Sequence, residues 1–169
     1  MAPPDVGEHD LAWCRWVACF VPSPERLVRW IGQSLRPGGR VVFHEYSTYA
    51  TWRYFPRRPA LEEFVAAVMQ SWRADGGEPD IAAALAGLLQ ANGFRVTDVR
   101  PHIHAASPGE PFWRWPAAFV GTNLARLVEL GRADPSWAAR VEAELAAAEA
   151  DPSSRVLTPL VTEIVAEKC

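Results

Sequence analysis

Apolar residues near the start of the chain follow a strand, then a helix, then a second strand. Residues 10–14 form a short apolar run, and residues 40–45 form a second run that Pro37-Gly38-Gly39 precedes as a turn. Between the two runs, one helical face carries the apolar residues Leu27, Val28, Ile31 and Leu35. Strand, helix and strand fit within about 30 residues, which is the length of a βαβ unit. The pattern therefore predicts two parallel strands joined by a right-handed crossover helix.

The rest of the chain alternates between helical and extended patterns in the same way. Residues 46–58 are irregular, aromatic and basic, and the amphipathic helix that follows them ends at Gly76-Gly77. Asp80 caps a further helix, which Asn92-Gly93 closes. The later segments are predicted as a strand at 94–100, a loop at 101–112, a helix at 113–130, a helix from Asp134-Pro135 and a strand at 160–166.

Length and composition are those of a single globular domain. The chain has 169 residues, of which 49% are hydrophobic and 22% are charged. No apolar run is long enough for a transmembrane helix, and the start lacks the layout of a signal peptide. We predict one α/β domain over residues 1–169, with helices on both faces of a mostly parallel sheet. A helical and aromatic insert is expected at 46–79, and a loose proline-rich arm is expected at residues 1–9.

The net charge limits the classes of binding partner that the sequence predicts, and the cysteine content indicates the redox state of its compartment. The net charge is -3 without a polybasic block, so neither a nucleic acid nor an anionic membrane is indicated as a partner. The three cysteines Cys14, Cys19 and Cys169 are odd in number and form no Cys-x-x-Cys pair. This pattern argues against a disulfide framework or a structural zinc site, and it favours a reducing cytoplasm.

Four segments, in order, carry a resemblance to a known family. They are "HDLAWCRW", "LRPGGRVVF", "LLQANGFRVTDVRP" and "TPLVTEIVAEK". Together they resemble the carboxyl-terminal portion of the class I S-adenosylmethionine-dependent methyltransferases, from the fourth strand of that fold to the seventh. The resemblance implies a Rossmann-like sheet in the strand order 10–14, 40–45, 160–166, 94–100, with strand 160–166 antiparallel to the others.

The family's Gly-rich cofactor loop has no counterpart here. No G-x-G-x-x-G occurs, and Gly38-Gly39 lies between a helix and a strand rather than between a strand and a helix. The resemblance therefore implies a truncated, partial sheet that supplies one wall of the cofactor crevice and the substrate-binding half. We expect this chain alone to bind S-adenosylmethionine weakly or not at all.

Residues that follow the first two predicted strands are the main site candidates, because ligands of open α/β sheets bind beyond the carboxyl ends of the strands. By resemblance, Cys14, Arg15 and Trp16 contact the cofactor, with Arg15 pairing with its carboxylate. The alternative is a buried aromatic corner beside a surface arginine. Glu45 is expected to orient or deprotonate a nucleophile, with Tyr46 next to it as a substrate contact. The alternative for Glu45 is an exposed acid at a strand end.

Aromatic residues of the insert are candidates for a lid over the substrate. Tyr49 and Trp52, with Tyr54 and Phe55, would enclose a flat or apolar acceptor in a dry pocket. Trp113 is predicted to fold over the same pocket. For all of these rings the alternative is packing of the core.

Two histidines follow the predicted strand 94–100. His102 is expected to act as a catalytic base, and it would share a face with His104 at i, i+2 spacing. The sequence presents no third ligand beside them, so no metal site is predicted.

The predicted function is methyl transfer from S-adenosylmethionine to a small-molecule acceptor. The Asn/Asp-Pro-Pro-Tyr signature of exocyclic amine methylation is absent after the first strand, which disfavours a DNA base as the acceptor. The alternative is a non-catalytic remnant or partner subunit that binds another chain. Unpaired backbone in the first strand is expected to favour a homo-oligomer or a complementary chain, associating through residues 10–20.

Overall fold

The computed structural model describes residues 7–169, so the predicted arm lies mostly outside the described residues. The strands are β1 (His9–Arg15), β2 (Leu35–Thr48), β3 (Arg53–Phe55), β4 (Phe94–His102), β5 (Ala105–Ala106), β6 (Arg155–Leu157) and β7 (Leu160–Lys168). The helices are α1 (Pro24–Ser34), α2 (Pro59–Ala74), α3 (Ala82–Ala91), α4 (Pro111–Glu129) and α5 (Pro135–Ala150). The chain divides into two compact units.

The first unit contains the residues up to Thr48, Gly76–His102 and Val161–Cys169. Its four strands have the order β1-β2-β7-β4. Strands β1 and β2 are parallel, and β4 pairs antiparallel with β7. The predicted strand order and the antiparallel last strand are therefore confirmed, and so is the α/β fold class.

The Pro37-Gly38-Gly39 segment is part of a strand rather than a separate turn. Strand β2 begins at Leu35, and residues 36–39 lie opposite Asp10 alone, where the register of the β1–β2 pair shifts. Gly38 has a φ of 73°. A Cβ on Gly39 would lie 2.9 Å from the carbonyl oxygen of Arg36. The two glycines therefore allow residues 36–39 to bulge out of the β1–β2 pairing without ending strand β2.

The sheet of the first unit is buried on one face and open on the other, among the residues described. Helices α1 and α3 pack against it, and Val41, Phe43 and Ile164 are fully enclosed. Leu11 and Trp13 alternate with Ala12 and Cys14 along β1. Leu11 is 59% exposed and Trp13 is 66% exposed. Strands of a parallel pair are normally covered on both faces, so this face is unusual.

The second unit contains Tyr49–Asp75 and Ile103–Leu160. Helices α2, α4 and α5 pack together in it beside a small antiparallel sheet of order β3-β6-β5. Of the helical and aromatic segment expected at 46–79, Tyr49–Asp75 is part of this second unit, which also includes α4 and α5, and the residues on either side of it belong to the first unit. The three short strands were not predicted, since runs of two or three residues show no periodicity.

Prolines mark the starts of four helices, of which α4 begins two residues before the predicted 113, and the N-cap of α3 is Ile81 rather than the predicted Asp80. Helices α1, α2, α4 and α5 each begin at a proline, which fits the first turn because it lacks the N–H that would be unsatisfied there. The Asp134 carboxylate accepts a hydrogen bond of 2.7 Å from the backbone N–H of Ser136 at the start of α5. Gly93 follows α3 with a φ of 81°.

Candidate functional site

The ends of β1 and β2 meet at the carboxyl edge of the sheet in the first unit. Arg15 is the last residue of β1 and pairs with His44. The backbone N–H of Trp16 donates to the carbonyl of His44 at 3.1 Å. Trp16 has a φ of 53°, in the left-handed region that bulky residues rarely adopt. The chain therefore leaves the strand abruptly after Arg15 and turns into a short 3-10 helix at Ala18–Phe20.

Glu45 is enclosed beneath that turn. Its exposed fraction is 0%, so the alternative of an exposed acid at a strand end is wrong. Its Oε1 atom accepts two hydrogen bonds of 2.8 Å, from the backbone N–H groups of Val17 and Ala18. The Cys14 thiol lies 4.0 Å from the same oxygen. The Oε2 atom is buried and has no hydrogen-bond partner among the described residues.

Burial and local charge set the ionisation of this cluster. Loss of water raises the pKa of Glu45, and the N–H groups of Ala18 and Val17 act against that rise. Burial, with the nearby Glu45 charge, raises the pKa of the Cys14 thiol to about 12. The pKa of Cys19 is raised by the same two effects. Both thiols therefore stay protonated at neutral pH and are poor nucleophiles.

A stack of three side chains forms above this carboxylate at the strand ends. The Arg15 guanidinium carbon lies 4.1 Å from the centre of the Trp16 ring. The Trp16 and Tyr46 rings are stacked, with centres 5.6 Å apart and an interplanar angle of 8°. Arg15 is exposed, Trp16 is half-buried and Tyr46 is buried. The structure thus brings together five residues that the sequence singled out, which are Cys14, Arg15, Trp16, Glu45 and Tyr46.

A second polar cluster spans three neighbouring strands of the same sheet. Glu163 on β7 lies with its Oε2 atom 2.7 Å from His44 Nε2 on β2 and 3.8 Å from His102 Nε2 on β4. The two imidazole centres are 5.9 Å apart. His102 is 45% exposed at the side chain, against 21% for His44 and Glu163. The sequence predicted that His102 lies beside His104, and it did not identify His44 or Glu163 as neighbours of His102.

His104 belongs to the second unit, where its ring stacks on Phe112 with centres 3.7 Å apart. The strand order implied by the resemblance could have predicted that His102 lies beside Glu163 and His44. It sets the strand that carries Glu163 between those of His44 and His102, so one carboxylate can reach both imidazoles.

Three further predicted site residues lie inside the second unit. Tyr49, Trp52 and Trp113 are buried, and Tyr49 and Trp52 meet edge to face with ring centres 6.0 Å apart. The Trp113 ring contacts Tyr54 edge to face at 5.6 Å, and its indole N–H donates to Glu149 at 3.3 Å. These contacts are those of a packed core, and substrate contact by these three rings stays a prediction.

Residues 7–169 contain neither a metal-binding cluster nor a membrane-spanning helix. No group of three or more histidine, cysteine, aspartate or glutamate side chains in that range is arranged to hold a metal ion. None of the helices in the described part of the chain has the length and apolar character needed to span a bilayer.

Comparison with solved structures identifies the fold. A protein from Bacillus halodurans C-125 that is assigned as a methyltransferase superposes with a TM-score of 0.54 and 15% identity, over 99% of this chain and 68% of its own. The chain has the class I methyltransferase fold. The YcgJ protein of Bacillus subtilis is similarly close, with a TM-score of 0.53 and 15% identity over 99% of this chain and 67% of its own. The chain thus spans about two thirds of the length of these two structures.

At the level of sequence the similarity is more local. No protein-family model matches the chain. The human thiol S-methyltransferase TMT1A is 33% identical over 76 residues, which cover 40% of this chain and 31% of the human protein. Within a methyltransferase fold, the ends of β1 and β2 lie at the edge where ligands of such open sheets bind.

Proposed function

We propose that this chain takes part in methyl transfer from S-adenosylmethionine to a small-molecule acceptor, supplying the substrate-binding half of the site. The observation that carries the proposal is the stack of Arg15, Trp16 and Tyr46 at the carboxyl ends of two parallel strands. An exposed cation held over a half-buried aromatic ring at that edge suits a ligand that carries a carboxylate.

The residues present fit the methionine end of that cofactor. Arg15 would bind its carboxylate through two parallel hydrogen bonds, and the Trp16 ring beneath the guanidinium would hold Arg15 in place and line the site. When bound, the cofactor supplies a methyl group on a sulfonium whose charge is lost on transfer. No residue is assigned to the adenosine end, because the sequence contains no Gly-rich loop.

His102 is proposed as the proton acceptor for the methylated nucleophile. Its imidazole is the most exposed member of the His44–Glu163–His102 cluster, and the Glu163 carboxylate would stabilise the imidazolium that forms. His44, which holds the same carboxylate oxygen at 2.7 Å, would fix the direction of Glu163. With the Nε2–H of His102 directed at Glu163, the acceptor proton would move to His102 Nδ1 as the methyl group is transferred.

A thiol is the acceptor class to test first. The human relative is a thiol S-methyltransferase, and the matched segment is 33% identical. A thiol must lose its proton to become a strong nucleophile, which suits a base with a carboxylate partner.

The test uses the whole chain with S-adenosylhomocysteine, observed by saturation-transfer NMR, which detects weak binding. We expect saturation of the homocysteine methylenes above that of the adenine protons, and loss of the methylene signal in Arg15→Ala. Arg26→Ala is the matched control, because it removes an exposed arginine on α1. No saturation in the wild-type chain, or an unchanged signal in Arg15→Ala, would contradict the proposal.

A second candidate function is that of a partner subunit that binds another chain. It is favoured by Leu11 and Trp13, two large apolar side chains that stay more than half exposed on an edge strand. The preferred form is a homo-oligomer that pairs through residues 10–20.

A further inference from the structure

We infer that Glu45 is a positioning residue, whose carboxylate holds the turn after β1 so that Arg15 and Trp16 face the ligand. The inference rests on the proposed function, since it names what keeps the proposed cofactor residues in place. It differs from the role that the sequence indicated for Glu45, which was contact with the nucleophile itself.

The carboxylate is directed at the backbone of this chain. The two short hydrogen bonds to Oε1, of 2.8 Å, come from the main-chain N–H groups of Val17 and Ala18, and the Cys14 thiol is a more distant donor at 4.0 Å. The residue itself has no exposed surface. Glu45 therefore joins the end of β2 to the turn after β1 and is shielded from an acceptor in solvent.

The turn needs such support because of Trp16. Its φ of 53° is disfavoured for a residue with a bulky side chain, and such conformations persist only where the surroundings over-determine them. Three sets of hydrogen bonds bracket it. His44 accepts from the N–H of Trp16, Glu45 accepts from the next two N–H groups, and the Cys19 carbonyl accepts from Glu78 at 2.9 Å.

The left-handed residue decides where the two proposed ligand contacts lie. An extended residue at this position would continue β1 and carry the indole away from Tyr46. With the turn held, the indole stacks on Tyr46 and the Arg15 guanidinium lies over the indole at 4.1 Å. Loss of the Glu45 bonds should therefore displace both contacts without removing either side chain.

A neutral side-chain oxygen at this position can accept from the same two N–H groups, so the positioning role does not require the charge of Glu45. Burial raises the pKa of Glu45, so its ionisation is linked to the order of the turn. The other titratable and charged groups around it are Cys14 and Arg15 on β1, Cys19 in the turn and Tyr46 on β2.

Two substitutions distinguish a positioning role of Glu45 from a direct role of its carboxylate as a base. Glu45→Gln keeps a side-chain oxygen for the two N–H groups but cannot act as a base. Glu45→Ala removes the acceptor. Val41→Ala is the matched control, since Val41 is equally buried on the same strand and no hydrogen bond joins its side chain to the turn.

The first readout is amide hydrogen exchange at Val17 and Ala18. We expect Glu45→Ala to accelerate exchange there by about 100-fold relative to Val41→Ala, as local opening replaces a closed turn. Glu45→Gln should stay within about threefold of the wild type. Equal exchange in Glu45→Ala and Val41→Ala would overturn the inference.

The second readout is the saturation-transfer signal of the homocysteine methylenes of S-adenosylhomocysteine. Glu45→Ala should lose it as Arg15→Ala does, and Glu45→Gln should retain it. Loss of the signal in Glu45→Gln, with its amides still protected, would mean that Glu45 contacts the ligand directly and would overturn the inference. Absence of any signal in the wild type counts against the proposed function, while amide exchange still decides whether Glu45 holds the turn.

A third readout covers the case in which Glu45→Ala fails to fold. In the wild type, the amide shifts of Val17 and Ala18 should titrate together, with a midpoint above the ordinary range of a glutamate. In Glu45→Gln the same shifts should be flat. Wild-type shifts that do not respond to pH or to Glu45→Gln would refute the positioning role.

Discussion

Trp52 in the second unit and Trp16 in the first show two uses of the same side chain. Trp52 is 1% exposed, and it meets Tyr49, Phe64 and Phe119 edge to face at 5.7 to 6.0 Å. Trp16 is half-buried at a strand end, in a left-handed conformation beneath an arginine. A ring in a packed cluster contributes by burial, whereas a ring held in a disfavoured conformation needs support from its neighbours.

The same contrast holds for buried polar groups. In the first unit, the enclosed Glu45 carboxylate is matched by two backbone N–H groups rather than by a cation. In the second unit, the Arg57–Glu62 and Arg140–Glu63 pairs match a carboxylate with a cation at the surface. Burying a charge is costly unless its hydrogen bonds are made, so a buried carboxylate indicates a specific structural or functional role.

The largest effect is expected from Trp52→Ala. Removing this ring from the aromatic cluster should lower the free energy of unfolding by about 3–5 kcal/mol, the usual cost of a buried tryptophan. The measurement is chemical denaturation, with Trp52→Phe expected to cost much less.

Trp16→Ala is the counterpart in the first unit. It should destabilise the chain far less than Trp52→Ala, because its ring is only half-buried, yet it should reduce the saturation-transfer signal of S-adenosylhomocysteine. A larger loss of stability from Trp16→Ala than from Trp52→Ala would break the comparison between the two regions.

The next expected effect, smaller than that of Trp52→Ala, concerns the open edge of the first unit. Leu11→Lys should weaken self-association through residues 10–20 by about tenfold in dissociation constant, since a charge replaces an exposed apolar contact. Val99→Lys on β4 is the matched control, because Val99 is 53% exposed on the opposite edge strand against 59% for Leu11. Sedimentation velocity at tens of micromolar measures both. A wild-type chain that stays monomeric there, or equal effects of the two lysines, would contradict pairing through β1.

The fold could largely be predicted from the sequence, because helices and long strands leave a local pattern. Asn92-Gly93 marked the end of α3, and Asp134-Pro135 marked the start of α5. The strand order came from the resemblance, since no local pattern sets β7 between β2 and β4. The second unit was not predicted as such, because it joins α2 to the distant α4 and α5 through long-range contacts.

The candidate site could be predicted in part for a similar reason. Neighbouring parallel strands end at one edge, so Arg15 and Tyr46 were expected to lie close to each other, and they do. The burial of Glu45 was not predictable, because a single acid after an apolar strand shows the same pattern whether it faces water or backbone amides. Glu163 was missed since its partners His44 and His102 are far from it in sequence.

The smallest expected effect is a change in the pH dependence of stability. Burial raises the folded-state pKa of Glu45 above its ordinary value of 4.5, so the folded chain holds this proton more tightly than the unfolded chain. The stability that this proton provides is complete below pH 4.5 and is lost as the pH rises through the folded-state value. Glu45→Gln has no proton to lose at this position. Its free energy of unfolding, relative to the wild type, should therefore increase from pH 4.5 upward and become constant above the folded-state pKa of Glu45. Urea denaturation of both chains from pH 4 to pH 8 measures this difference. A difference that is constant over the whole range would show that Glu45 has the same pKa in both states, and it would remove the electrostatic contrast between the enclosed carboxylate and the surface pairs of the second unit.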